Sequence, residues 1–125
     1  MPPTHHRGRL PEEFRQRAKS FASASIRLFI DLPRKREEVA IIGRQMLRAG
    51  TSVAGHVREA SRARSDNEFV SKLGGALQEA DETQLWLELL REDCAIEPEK
   101  TIPQEREASE LMAIMTTMIN RTKSD

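Results

Sequence analysis

Residues 39–60, VAIIGRQMLRAGTSVAGHVREA, carry the clearest structural signal in this chain. Their apolar side chains recur at alternating steps of three and four, a spacing that places them along one stripe of an α-helix. The stripe consists of Val39, Ile42, Met46, Ala49, Val53, His56 and Ala60, with His56 as its one polar member. A glycine inside a helix costs about 1 kcal/mol relative to alanine, and a close approach of another backbone usually offsets this cost. A smooth patch on which another helix can lie is therefore predicted from the small residues Ala49, Gly50, Ser52, Ala54 and Gly55.

Three further segments, one before residues 39–60 and two after them, show the same periodicity of apolar residues. Pro11 suits a first helical turn, and Pro33 ends the first segment because proline cannot continue a helix. Ser65 or Asp66 is a good N-cap for the third segment. The stretch 96–103 is predicted to be a loop. The predicted helices run from about Pro11 to Leu32, from about residues 34–38 to Arg62, from about Asn67 to Ala95, and from about Pro103 to Arg121.

The fold class follows from these four amphipathic segments and their short connections. They predict an all-α domain over residues 11–122, an antiparallel up-down-up-down four-helix bundle. Residues 1–10 contain proline, histidine and arginine without periodicity and are predicted to form a disordered basic tail. Aromatic residues make up only 4% of the chain, which disfavours both a β-rich fold and a stacking platform for single-stranded nucleic acid.

The cellular compartment is predicted by elimination. Cys94 is the single cysteine, so an intramolecular disulfide is excluded and a reduced thiol is expected. No apolar run approaches the roughly 20 residues of a membrane span, and the first residues lack the apolar core of a signal peptide. We therefore expect a cytoplasmic protein with no membrane partner.

Charge is segregated along the chain although its formal sum is zero. Residues 1–36 carry a net charge of +6, whereas residues 66–97 carry −7. This polarity predicts helices that pair by charge, either within the fold or between subunits. It argues against a wholly basic protein whose affinity for nucleic acid comes from neutralising phosphates.

Several polar residues occupy positions where a packed seam would favour apolar ones. With a turn near residue 65, antiparallel pairing places Arg48 opposite Glu82 and His56 opposite Gly74 and Gly75. This predicts a polar band across helices 2 and 3, made of Arg48, Ser52, His56, Glu59, Glu79, Glu82 and Thr83. The band is either a structural network that sets the register or a site for a ligand or partner. Trp86, beside the seam, either covers the edge of the bundle or anchors an interface.

Catalytic and metal chemistry lack a recognisable residue set. Ser52 and His56 stand four apart on one helix, a spacing that brings side chains together but is common by chance. Bundles that bind two metal ions use Glu-x-x-His motifs, whereas this chain has only the reverse order, His56 to Glu59, once. We therefore predict that the protein is not an enzyme and has no metal, cofactor or small-molecule substrate.

Two spaced motifs resemble one known family. The run RAGTSVAGHVREASRARS, residues 48–65, resembles the central motif of the 23S rRNA intervening-sequence proteins. The segments EFVSKL, residues 68–73, and EADETQLWLELL, residues 79–90, extend the likeness in register. The resemblance implies a left-handed four-helix bundle assembled as a ring-shaped homopentamer, without demonstrated enzymatic activity and with a suspected link to nucleic acid.

Two functional interpretations remain after these observations. The first is a non-enzymatic scaffold whose oppositely charged faces pair between subunits. The alternative is a pentameric bundle that binds RNA or DNA through basic helix ends. The phosphate-binding candidates are Arg34, Lys35, Arg36, Arg58, Arg62 and Arg64. Salt separates the two interpretations, because binding to phosphates weakens steeply as ionic strength rises.

Overall fold

The computed structural model describes residues 9–124 and contains four helices and no strand within them. The helices are α1 (Glu12–Asp31), α2 (Glu37–Ser61), α3 (Asp66–Glu92) and α4 (Pro98–Ser124). Each helix packs on its neighbour in the chain, and α4 returns to α1, so α1 and α3 lie diagonally across the bundle. The predicted all-α class and the count of four helices are confirmed.

Contacts between helices show that successive helices are antiparallel. Gly50 lies against Ser25 and Gly43 against Leu32, so residue numbers fall along α2 as they rise along α1. Likewise the ring of His56 lies over Gly75, and Gly50 lies beside Thr83. The side chain of Arg91 in α3 binds Glu105 in α4. The predicted opposition of His56 and Gly75 is therefore confirmed, and with it the register of α2 and α3.

The start of the packed structure lies two residues earlier than predicted. Residues 1–8 of the predicted tail lie outside the described part of the chain. Arg9 and Leu10, however, belong to the bundle. The backbone N–H of Arg9 donates to the carbonyl of Ser61 at 2.8 Å, its guanidinium lies 5.3 Å from the centre of the Phe69 ring, and Leu10 is buried. Arg9 also binds Asp66 with a distance of 2.6 Å between Nη2 and Oδ1.

Local signals explain both ends of α3. The Ser65 hydroxyl accepts a hydrogen bond from the backbone N–H of Glu68 at 3.0 Å, which identifies Ser65 as the N-cap. At the other end Ala95 adopts the left-handed conformation, with φ 58°. The N–H of Ile96 then donates to the carbonyl of Leu90 at 3.0 Å, and the buried Ile96 side chain packs in the same cluster as Leu90. This arrangement terminates the helix and satisfies a carbonyl that would otherwise lack a partner.

The predicted loop over residues 96–103 is wrong from Pro98 onward, because α4 begins there. Both Pro98 and Pro103 are compatible with an early helical position, and the sequence alone favoured the later one. Burial explains the earlier start, since Thr101 and Gln104 face the interior and are held there by the additional helical turn. Pro103 consequently lies inside α4 and cannot donate a backbone hydrogen bond.

Two apolar clusters fill the core, one in each half of the bundle. The first is centred on Phe14, Phe21, Val53, Phe69, Leu73, Leu111 and Met115. The second is centred on Leu28, Leu32, Val39, Met46, Leu87, Leu90 and Cys94. Met112 and Met118 pack against the first cluster, so the methionines of α4 serve the core. Burial raises the pKa of the Cys94 thiol, which keeps it protonated and unreactive.

A buried polar layer lies between the two clusters. Gln104 Nε2 donates to Ser25 Oγ at 2.6 Å and to the Phe21 carbonyl at 3.2 Å. Ser25 Oγ in turn donates to the Phe21 carbonyl at 3.1 Å. Thr83 is buried at the same level and donates to the Glu79 carbonyl of its own helix. Gly50 is required here because a Cβ on it would lie 2.7 Å from Ser25 Cβ and nearer still to Ser25 Oγ.

Candidate functional site

The predicted polar band is not a continuous hydrogen-bond network. Only Thr83 is buried, and its hydroxyl bonds within α3. Ser52, His56 and Glu79 are half-buried, and Arg48, Glu59 and Glu82 are exposed. The structure brings together one part of the band, where His56 Nδ1 lies 3.2 Å from a Glu59 carboxylate oxygen that also lies 3.9 Å from Lys72 Nζ. Arg48 and Glu82 form no ion pair among the described residues.

The polar residues that do cross between helices are ones that the sequence interpretation overlooked. Gln104 lies at the start of predicted helix 4 and Ser25 lies within predicted helix 1, and neither is among the predicted site residues. Both sit where α1 meets α4, and they are bonded to each other. The available signal was a serine at a seam position of helix 1, since a polar group at such a position needs a partner when it is buried.

Trp86 occupies the edge of the bundle rather than its centre. Its side chain is half-buried and packs against the second core cluster, together with Phe29 and Ile42. This packing is compatible with the interpretation of Trp86 as a cover for the bundle edge. A role as an interface anchor stays a prediction.

The six basic candidates fall into two groups at opposite ends of α2. Arg34 lies over the Phe29 ring at 4.9 Å, and Arg36 binds both Glu38 and the Cys94 carbonyl. Lys35 is exposed beside them. The second group, at the other end of α2, consists of Arg58, Arg62 and Arg64. Most of the length of this 25-residue helix separates it from the first group. The structure therefore does not join the six into one patch.

A cationic groove of about 410 Å³ lies between α1 and α2 near the second group. Arg15 and Lys19 line its α1 side, Arg58 and Arg62 line its α2 side, and Gly55 leaves its floor open. Arg15 is bound by Glu12. Lys19, Arg58 and Arg62 form no ion pair within residues 9–124 and are exposed. Arg15 and Lys19 were not among the predicted candidates, because their proximity to α2 appears only in the folded chain.

Two helices at opposite corners of the bundle expose apolar side chains. The outer α1 face consists of Lys19, Ile26, Arg27 and Ile30. The outer α3 face consists of Asp81, Glu82 and Leu85. Ile26, Ile30 and Leu85 are 44%, 63% and 46% exposed, respectively, whereas Leu87, two residues beyond Leu85, is fully buried. Ile41 on α2 is also exposed.

A larger groove of about 810 Å³ separates α1 from α4. Phe21, Ala24 and Leu28 contribute apolar surface to it, and Gln104 contributes a polar group that is already bonded to Ser25. Arg27 and Ile30 of the outer α1 face also line this groove, so the two surfaces are continuous. Contact between α1 and α4 is the least extensive among the four neighbouring pairs, which explains the space between them. Charged side chains of both signs line the groove, so its chemistry favours no single charged ligand.

Charged side chains of α1 and α3 that face α4 form ion pairs with carboxylates of α4. Arg17 binds Glu107 and Glu110, each at 2.6 Å, and these hydrogen bonds raise the pKa of Arg17. The Arg91 guanidinium binds Glu105 at 2.9 Å and holds the pKa of that carboxyl below its usual value. By contrast, within residues 9–124 only the Arg9–Asp66 pair joins the basic first segment to the acidic third one.

The described residues contain no group of three or more histidine, cysteine, aspartate or glutamate side chains arranged to hold a metal ion. Within the same part of the chain, every helix is too short or too polar to cross a membrane. The candidate functional features of the described residues are surfaces: the cationic groove between α1 and α2, the outer faces of α1 and α3, and the groove between α1 and α4.

Comparison with known proteins relates this chain to a known family and to solved structures. A family described as 23S rRNA-intervening sequence protein matches residues 12–117. The crystal structure of a protein with unknown function from the S23 ribosomal protein family of Bacteroides thetaiotaomicron is similar, with 31% sequence identity and a TM-score of 0.76. The similarity covers 85% of this chain and 97% of that one. None of the curated proteins compared is a match.

Proposed function

Because the chain belongs to the 23S rRNA-intervening sequence protein family, we propose that it is a non-enzymatic scaffold protein that binds copies of itself. The proposed assembly is a ring-shaped homopentamer of bundles with a left-handed twist, which is the state that the family resemblance implies. Its proposed location is the cytoplasm. The supporting observation is the exposure of apolar side chains on diagonally opposite helices.

The position of these side chains favours head-to-tail association over a two-fold dimer. Ile26 and Ile30 lie on α1, whereas Leu85 lies on α3, so the two exposed patches belong to different surfaces. Contact between different surfaces of identical chains is head-to-tail, and it produces a closed ring when the rotation between copies closes. Burying such side chains stabilises an assembly by about 25 cal/mol per Å² of apolar area removed from water.

We expect the protein in solution to have about five times the 14.2 kDa mass of one chain. Light scattering after size-exclusion chromatography measures this mass. The variant Ile30→Lys is expected to shift the mass toward that of a single chain, because it places a charge in an apolar contact. Thr116→Lys, at an exposed position of α4, is the matched control and should leave the mass unchanged. A single-chain mass for the unmodified protein at micromolar concentration contradicts the proposal.

A second candidate function, binding of nucleic acid, is supported by the cationic groove between α1 and α2. Three of its cations, Lys19, Arg58 and Arg62, have no carboxylate partner among the described residues and are available to a phosphate backbone. Exposed arginines at a helix end are often only solvated. This candidate is favoured because three cations without a carboxylate partner line the same groove.

Binding to fluorescent single-stranded RNA and duplex DNA, followed by anisotropy, tests the second candidate. With three phosphate contacts on duplex DNA, affinity is expected to fall roughly 40-fold between 50 and 200 mM salt. The double variant Arg58→Ala/Arg62→Ala should reduce this fall to roughly 4-fold. Arg106→Ala, at an exposed α4 position, is the control and should bind like the unmodified chain. Absence of binding at 50 mM salt contradicts this function.

A further inference from the structure

We propose that the outer α1 face of one copy packs on the outer α3 face of the next copy around the ring. This inference rests on the proposed self-assembly and specifies which two surfaces form its contact. The occupant of each face is thus a second copy of this chain. Three properties of the faces support the pairing: their apolar centres, their opposite charges and their common height along the bundle.

The charges on the two faces are complementary and unused within one subunit. Lys19 and Arg27 are exposed on α1 and form no ion pair among the described residues. Asp81 and Glu82 are exposed on α3 and are likewise unpaired there. Other charges of the bundle, such as Arg17 and Arg91, are bound by carboxylates of α4. A cationic face that meets an anionic one orients the two copies and disfavours contact between like faces.

The two faces also lie at the same height along the bundle. A Cβ placed on Gly50 would contact Ser25 on one side and lie 3.7 Å from Thr83 Cγ2 on the other, so Ser25 and Thr83 are level. Because α1 and α3 are both antiparallel to α2, they run parallel to each other. Leu85 lies two residues beyond Thr83, about 3 Å along the axis, and Arg27 lies equally far beyond Ser25. Leu85 is therefore level with Arg27.

Equal height matters because of the symmetry of a ring. Rotation about an axis parallel to the helices moves a copy sideways and changes no height. Such a rotation keeps Leu85 of one copy level with the space between Ile26 and Ile30 of the next, without any shift along the axis. Glu82 lies three residues, about 4.5 Å, below the level of Arg27. This offset is within reach of a long arginine side chain.

Disulfide cross-linking tests the contact directly. The double variant Ile26→Cys/Leu85→Cys, oxidised under mild conditions, is expected to give a ladder of covalent species up to five chains on a non-reducing gel. The native Cys94 should not interfere, because it is buried, and the unmodified chain is expected to remain a single band. Ile26→Cys/Thr116→Cys is the matched control, since Thr116 lies on α4 outside both faces, and it should give no ladder.

Charge reversal provides a second test that does not depend on cysteine. Arg27→Glu and Glu82→Arg should each weaken assembly at least tenfold, measured by light scattering across a dilution series. The double variant should recover assembly, because every contact in its ring then contains one reversed residue from each face. Far-ultraviolet circular dichroism should show the same helix content in all of these variants, since both positions are exposed.

The outcomes separate this inference from the proposed function. A five-chain mass without a cross-linked ladder and without recovery in the charge-reversed double variant overturns the α1–α3 contact but leaves the self-assembly standing. A single-chain mass for the unmodified protein overturns both. A ladder that matches the control variant also overturns the contact, because it would then reflect random collision.

Discussion

Substitution of Gly50 by alanine is expected to lower the free energy of unfolding by about 2 to 3 kcal/mol, as overpacking of a closely packed interior does. The new Cβ would lie 2.7 Å from Ser25 Cβ, a contact that real Cβ atoms do not make. Ser25 cannot simply turn away, because the clash involves its Cβ, and its hydroxyl is bonded to Phe21 and Gln104. Relief requires α1 and α2 to separate. Urea unfolding followed by circular dichroism measures the loss.

Two variants check that close packing is the cause. Gly55→Ala adds the same methyl group to the same helix, but nothing lies within 4 Å of the new atom. It is expected to stabilise the protein by about 0.5–1 kcal/mol through helix propensity. In a Ser25→Gly background, the loss caused by Gly50→Ala should shrink because both clashing atoms are absent. An equal loss in both backgrounds would show that the contact with Ser25 is not responsible.

Leu87→Ala is expected to cost about 3 kcal/mol, as truncation of a fully buried leucine does, and to lower the melting temperature by roughly 10 °C. Leu87 is completely buried in the second core cluster. Leu85 has the same chemistry two residues earlier on the same helix, but it is 46% exposed. Leu85→Ala should leave the folded bundle intact. The two variants therefore compare the same truncation at a buried position and at an exposed position.

The dependence on protein concentration separates their effects further. If Leu85 lies between subunits, its truncation lowers apparent stability through weaker assembly, which depends on mass action. The loss from Leu85→Ala should consequently vary with protein concentration, whereas the loss from Leu87→Ala should remain at every concentration. Thermal melts over a hundredfold dilution measure both. A large, concentration-independent loss from Leu85→Ala would contradict its placement on the surface.

Much of the fold could be predicted because the periodicity of apolar residues is a local property. The predicted bounds of α2 agree with the observed ones within a few residues, and Ser65, one of the two predicted N-caps of α3, is the observed one. The start of α4 was missed because Pro98 and Pro103 both resemble a first helical residue. Only the burial of Thr101 and Gln104 distinguishes them, and burial depends on the other helices.

The candidate surfaces were harder to predict than the helices. A polar band along α2 and α3 was expected, but the buried polar layer joins α1 to α4 through Ser25 and Gln104, which are distant in sequence. The cations of the groove between α1 and α2 come from two helices, and a list of helix-end arginines could not include Lys19. Charge segregation along the chain was visible in the sequence, but which charges remain unpaired depends on their partners in the folded chain.

The Gln104–Ser25 hydrogen bond has a consequence for the fidelity of any assembly. If α4 moved by one heptad, the amide of Gln104 would lose its two acceptors and enter one of the two apolar clusters. A buried polar group without a hydrogen-bond partner costs roughly 1–3 kcal/mol there. This penalty disfavours bundles in which α4 is out of register with the other helices. Copies with the correct register therefore present the cations of α1 and the anions of α3 at the same heights, as the proposed contact between copies requires.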